Sequence, residues 1–253
     1  MSPKKIVNSK VSPKEWKPVN WYKVIEEETP ELKKKAIVNP NYAFHKISLP
    51  FRMVICGSTS SMKTNTVLSL IHIMPETFTR IIFVCKVLKQ ELYDYLRKHL
   101  PDTEFLVGIE NTPDIDTDYN KDENSLIIFD DLCMEKDLRV IDDYAIRSRH
   151  MNVSCIYLTQ DWFQTPITYR RNLSHIILKQ ISKSSDLDNI YKNCDAINLD
   201  KVKFRKVYNY ATKPDDPDDP DDKANFLMID VNCKKPSEMY RQNIYPIDLD
   251  SIQ

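Results

Sequence analysis

Four short stretches of this 253-residue chain carry the residue types and spacings that could do chemistry. The first is VICGSTSSMKTNT, residues 54–66, where Gly57 is followed six residues later by Lys63-Thr64. That spacing approaches GxxxxGK[ST], a loop whose backbone N–H groups wrap phosphates while its lysine reaches the terminal ones and its hydroxyl ligates magnesium. Read so, Gly57, Ser58, Thr59, Ser60, Ser61, Met62, Lys63 and Thr64 form a nucleotide-binding loop, and Thr64 is also a metal ligand. Met62 replaces the motif's second glycine, so the spelling alone also describes a Ser/Thr-rich surface turn.

The second stretch is SLIIFDD, residues 125–131, an apolar run ending in two carboxylates. Asp130 would complete a magnesium site, and Asp131 would polarise an attacking water. Asp-Asp after a strand also occurs in ordinary loops, but this pair follows the lysine by one strand-helix-strand interval, as in a nucleoside triphosphatase. The third is LTQ, residues 158–160, placing Gln160 at a strand's carboxyl end, where ligands of open α/β sheets bind. There it would sense a terminal phosphate or position water; the plainer reading is a polar strand end. The fourth is a set of arginines, Arg147, Arg149, Arg170 and Arg171, flanking that strand. One guanidinium presented to a neighbouring subunit would stabilise transition-state charge, and Arg149 is the candidate, against a default of surface ion pairing. His150 and His175 show no metal or triad spacing and read as structural.

These groups need a scaffold, and the hydrophobic pattern supplies one. FRMVIC, RIIFVC, SLIIFDD, VSCIYLTQ and HIILKQ are apolar runs of strand length, with FLV (105–107) a short edge strand and FLMIDV (226–231) a last one. Between them, apolar positions at 67–74, leucines at 88, 92, 96 and 100, and the segments 137–150 and 184–193 read as helices. The alternation predicts an α/β fold with a mainly parallel central sheet and helices on both faces. Residues 1–41 are a basic, Pro-containing N-terminal extension with little fixed structure, 42–235 the core with an acidic loop at 213–223, and 236–253 a C-terminal tail.

Composition sets bounds. A net charge of −1 excludes a global basic field for nucleic acid, although residues 1–46 carry ten Lys against five Glu. That arm reads equally as a contact for an anionic polymer or as a solvated tail. Lys201, Lys203, Arg205 and Lys206 form a second basic cluster, either part of a channel or a solvated helix face. Six cysteines without a CxxC pair point to a reducing interior rather than to a disulfide or zinc framework. No apolar run reaches the roughly 18–20 residues of a membrane span, and the sequence opens on no signal peptide, so a soluble, non-secreted protein is expected. Glycine occurs twice, at Gly57 and Gly108, and one of the two opens the loop.

The order of segments resembles a known family. NYAFHKISLPFRMVICGSTSSMKTN, IIFVCKVLKQELYDYL, SLIIFDDL, SRHMNVSCIYLTQDWFQ, RRNLSHIILKQISKSSDLDNIYK and ANFLMIDVNCKKPSEMYRQNIYP run in the sequence of the FtsK/HerA-superfamily genome-packaging ATPases. The likeness, over residues 42–247, is to the branch of Polinton (Maverick) elements, virophages and poxviruses. It implies a P-loop NTPase of RecA-like (ASCE) type with five parallel strands in the order 5-1-4-3-2. It further implies an oligomeric ring that hydrolyses ATP with Mg2+ and drives double-stranded DNA into a capsid at its portal vertex. Localisation would be the host cytoplasm (a virus factory), the nucleus or the virion. On this template Gly57, Lys63 and Thr64 bind phosphate and metal, Asp130 completes the metal site, Asp131 is the catalytic acid position, Gln160 the sensor and Arg149 the finger. The departure at Met62 implies an alternative, a degenerate loop that binds nucleotide with little hydrolysis and serves as a structural component. A nucleotide kinase is a third reading, which the closing NIYP segment fits less well.

Overall fold

The structure, a computed structural model, describes residues 38–252 apart from positions 89, 90, 101, 133, 134, 136, 217, 220 and 221. The expectation for the basic extension therefore lies, up to residue 37, outside the described residues. Among the described residues no helix is long and apolar enough to cross a membrane.

One sheet organises the rest. Its parallel strands are β1 (Arg52–Cys56), β2 (Arg80–Cys85), β3 (Thr103–Val107), β4 (Ser125–Asp130), β5 (Val153–Thr159) and β6 (His175–Leu178). β7 (Leu227–Asp230), β8 (Tyr240–Gln242) and β9 (Tyr245–Pro246) continue it antiparallel, giving the order β3-β2-β4-β5-β1-β6-β7-β8-β9. The five expected strands lie as β6-β1-β5-β4-β2, which is 5-1-4-3-2, and β3 takes the outer edge.

β4 and β5 are buried along their whole length, as strands covered on both faces must be. Alternate side chains feed two cores. Val54, Ile82, Ile127 and Phe129 point to one face, and Met53, Ile55, Phe83 and Ile128 to the other. α2 (Lys63–Ile73) and α3 (Glu91–His99) cover the second face through Val67, Leu70, Tyr93 and Leu96. α4 (Arg139–Arg147), α5 (Ile167–Arg171), α6 (Ser184–Asn193) and α7 (Lys201–Ala211) cover the first through Ile141, Tyr144, Tyr169, Leu187, Phe204 and Val207. α7 contains the basic cluster, for which a helix face was one of two expectations. Asp200 caps it by accepting from the N–H groups of Val202 and Lys203, each at 2.9 Å. Lys201 and Arg205 reach Asp188 on α6, so half of that cluster pins one helix to the next.

Within residues 236–253, expected as a tail, β8 and β9 instead extend the sheet. Buried Arg241 on β8 pairs with Asp230 Oδ2 at 2.9 Å and donates to the carbonyl of His45 at 3.2 Å. That carbonyl closes α1 (Tyr42–His45), so the amino edge of the sheet is tied to the segment leading into the core. His175 is buried there too, its Nδ1 2.9 Å from the Ser174 hydroxyl. Burial and the neighbouring Arg241 push its pKa down to about 3, so it stays neutral.

Candidate nucleotide-binding site

At the opposite edge, the carboxyl ends of β1, β4 and β5 bring the sequence-selected residues together. β1 ends at Cys56 and the chain turns at once. Gly57 N–H bonds the Thr159 carbonyl at 3.2 Å and Ser58 N–H the Gln180 carbonyl at 3.0 Å. A Cβ on Gly57 would lie 2.5 Å from Lys179 Cβ and 2.6 Å from Ser61 Oγ, so only glycine fits against β6. Ser58 Oγ also accepts from the N–H of Ser182 at 2.8 Å, fastening the loop to the segment after β6.

Met62 resolves the spelling problem in an unexpected way. It adopts the left-handed conformation a glycine would take, with φ 61° and ψ 36°, and Ser60 is left-handed too. Its side chain is 40% exposed and leaves the loop interior, so the loop keeps its turn at an expense of about 1–2 kcal/mol in backbone strain. No side chain caps the amino end of α2, which leaves its first N–H groups and the positive end of its dipole facing outward. Lys63 Nζ folds over the loop, donating to the carbonyls of Gly57 at 2.9 Å and Ser58 at 3.0 Å.

The acidic pair meets this loop across the sheet. Thr64 Oγ1 donates to Asp130 Oδ2 at 3.2 Å, and the Tyr93 hydroxyl donates to the same oxygen. Asp130 is buried, and burial raises its pKa against the downward pull of those two hydrogen bonds; Asp131 raises it further and Lys63 lowers it. A buried carboxylate beside a threonine hydroxyl is a set of hard oxygen donors whose burial penalty a divalent cation would relieve, so the residues fit Mg2+. Asp131 follows with φ 57°, exposed and turned toward the same space. Gln160 Oε1 accepts from Thr59 Oγ1 at 2.9 Å, linking the loop to the end of β5. Thr59, Ser60, Lys63, Thr64, Asp130, Asp131 and Gln160 line one cavity of about 170 Å³.

Residues 42–212 match the family of the poxvirus A32 protein. The chain belongs to that family. The DNA packaging protein OPG160 of Variola virus is 26% identical over 160 residues, covering 58% of this chain and 59% of the relative. The OPG160 protein of vaccinia virus strain Copenhagen gives the same figures, so the chain spans less than two thirds of these relatives' length. Among solved structures, B204, the DNA-packaging ATPase from Sulfolobus turreted icosahedral virus, matches with a TM-score of 0.52. The match covers 77% of this chain and 97% of that one at 18% identity, a likeness of fold, and the fold is that of a P-loop NTPase.

One selected residue of this A32-family chain is not part of the gathering. Arg149 is exposed in the 3-10 turn Ser148–Met151, before β5 begins. The seven residues of β5 separate it from Gln160, roughly 20 Å at the usual rise per residue. Arg147 is paired with Asp116, and Arg170 lies 5.8 Å from the ring centroids of Trp162 and Phe163. Sequence reasoning missed Tyr93, Lys179 and Ser182. The first was hidden within a helix and the others lie just past an apolar strand, where only the sheet order reveals their nearness to the loop. Lys179 is fully buried, its Nζ donating to the carbonyls of Lys223 at 2.7 Å and Ala224 at 2.6 Å. Burial lowers its pKa to about 8.

Proposed function

We propose that this chain hydrolyses ATP at the carboxyl edge of its sheet and works as the subunit of a motor that packages double-stranded DNA into a viral capsid. The observation that carries the reading is the convergence of Lys63, Thr64, Asp130, Asp131 and Gln160 on one cavity. Membership of the A32 family and the DNA-packaging names of its relatives supply the substrate and the setting.

In this mechanism the uncapped N–H groups of α2 and the loop hold the phosphates, and Lys63 Nζ swings from the Gly57 and Ser58 carbonyls onto the terminal ones. Thr64 and Asp130 would hold Mg2+, which when bound offsets charge developing on the phosphate oxygens. Asp131 orients and polarises the attacking water. Gln160 senses the terminal phosphate, and its bond to Thr59 relays changes in the loop to the end of β5. Arg149, remote from its own cavity, serves the cavity of a neighbouring copy in a ring, which head-to-tail contacts form when their rotation closes. The replacement of the motif's second glycine by Met62 raises a second reading, nucleotide binding with little turnover in a structural component. Steady-state ATP hydrolysis separates the two. Wild type should exceed Lys63→Ala by on the order of 10²–10³ and respond to double-stranded DNA, as loss of a charge-stabilising donor implies. Equal rates would remove the motor reading.

A further inference from the structure

Tyr93 lies on α3, away from every motif that marks the site. Its side chain is fully buried, with its ring 5.6 Å from that of Phe83 and 5.3 Å from that of Phe105. Phe105 is covered in turn by the Arg97 guanidinium at 4.7 Å. This packing leaves the ring one orientation, and in it the hydroxyl meets Asp130 Oδ2.

That oxygen accepts from two hydroxyls, Thr64 on the loop side and Tyr93 on the helix side. Among the described residues no hydrogen bond reaches Oδ1. The two donors are not equivalent. Thr64 is itself a metal-ligand candidate: its oxygen would offer a lone pair to a cation while its proton stays on Asp130, so its position would follow the cation. Tyr93 does not line the cavity, and its buried ring is held against Phe83 and Phe105. A phenol carries its proton at neutral pH, so the hydroxyl is a donor to Asp130.

From this geometry we propose that Tyr93 is a positioning residue of the nucleotide site: it clamps Oδ2 of Asp130, keeps the carboxylate rotated with Oδ1 available, and so presets the metal-binding oxygen. The inference rests on the nucleotide-site reading above. A carboxylate held by a buried donor pays no reorientation when a cation arrives, whereas one without it is free to rotate in its pocket. Outer partners of metal ligands typically alter metal affinity by about 10–100-fold.

Tyr93→Phe removes one oxygen and retains the ring between Phe83 and Phe105. The probe is Mn2+, titrated in the presence of a saturating non-hydrolysable ATP analogue and followed by the electron paramagnetic resonance signal of free Mn2+. Tyr93→Phe should weaken Mn2+ binding by roughly tenfold, while its affinity for the analogue in EDTA stays at the wild-type value. Tyr119→Phe is the matched control, since it deletes another buried hydroxyl, one bonded to Tyr144 at 2.8 Å. It should leave Mn2+ affinity unchanged. Wild-type Mn2+ affinity in Tyr93→Phe, or an equal loss in Tyr119→Phe, overturns the role of Tyr93 alone. Absence of Mn2+–analogue binding in wild type overturns the site reading along with it.

Discussion

The two edges of the sheet handle polar groups in opposite ways. At the amino edge, Arg241 and Asp230 form a buried ion pair, the His45 carbonyl takes a further guanidinium proton, and His175 is kept neutral. At the carboxyl edge, Ser60, Met62 and Asp131 all sit in left-handed backbone, and the side chains are held by bonds that a ligand can replace. Strain of this kind persists where the surroundings over-determine it, and it clusters at functional sites. Here β6 fixes the loop through Gly57 and Ser58, and Lys179 backs that strand. The same sheet thus carries a buried ion pair beside an open polar cavity at its amino edge, and at its carboxyl edge side-chain bonds that a ligand can replace. Left-handed backbone is found at both, with Lys46 and Asn152 near the amino edge.

The contrast breaks most easily at the amino edge. Arg241→Ala leaves Asp230 buried without its partner and should lower unfolding free energy by roughly 3–5 kcal/mol, measured by urea denaturation. A loss under 1 kcal/mol would mean the amino edge is not stabilised by this pair. A smaller, pH-dependent effect belongs to His175. Its folded pKa of about 3 lies below the unfolded 6.5. Its stabilisation is therefore complete above pH 6.5 and drains away as pH falls toward 3, at up to about 1.4 kcal/mol per pH unit. Denaturation between pH 7 and 4.5 should show a shallower slope in His175→Gln than in wild type; parallel slopes would refute a buried neutral imidazole. The smallest effect sharpens the carboxyl edge. Met62→Gly relieves a left-handed side chain but frees the unfolded backbone, leaving a net gain of roughly 0.5–1 kcal/mol. Hydrolysis by that variant should equal or exceed wild type, and a marked fall would show that the methionine itself contributes to turnover.

Much of this was readable from sequence, for identifiable reasons. Five buried parallel strands announce themselves as apolar runs, and SSDLDNIYKN forms the helix its pattern predicts. Lys63, Asp130 and Gln160 were legible because each follows a strand whose carboxyl end must face the crevice. Other features depend on contacts distant in sequence. β8 is three residues long and makes sense only through Arg241 and Asp230. Tyr93 looks like any core aromatic until α3 is packed beside β4. Met62 read as a defect, because a sequence does not say whether a side chain at a left-handed position points into a loop or out of it; here it points out.

The central claim is that the carboxyl edge holds the nucleotide through the loop 57–64. Isothermal titration of ATPγS with Mg2+ tests it most directly. One site per chain is expected in wild type, lost in Lys63→Ala and retained in Arg149→Ala, whose side chain lies at the other edge. Undiminished binding in Lys63→Ala would contradict the account.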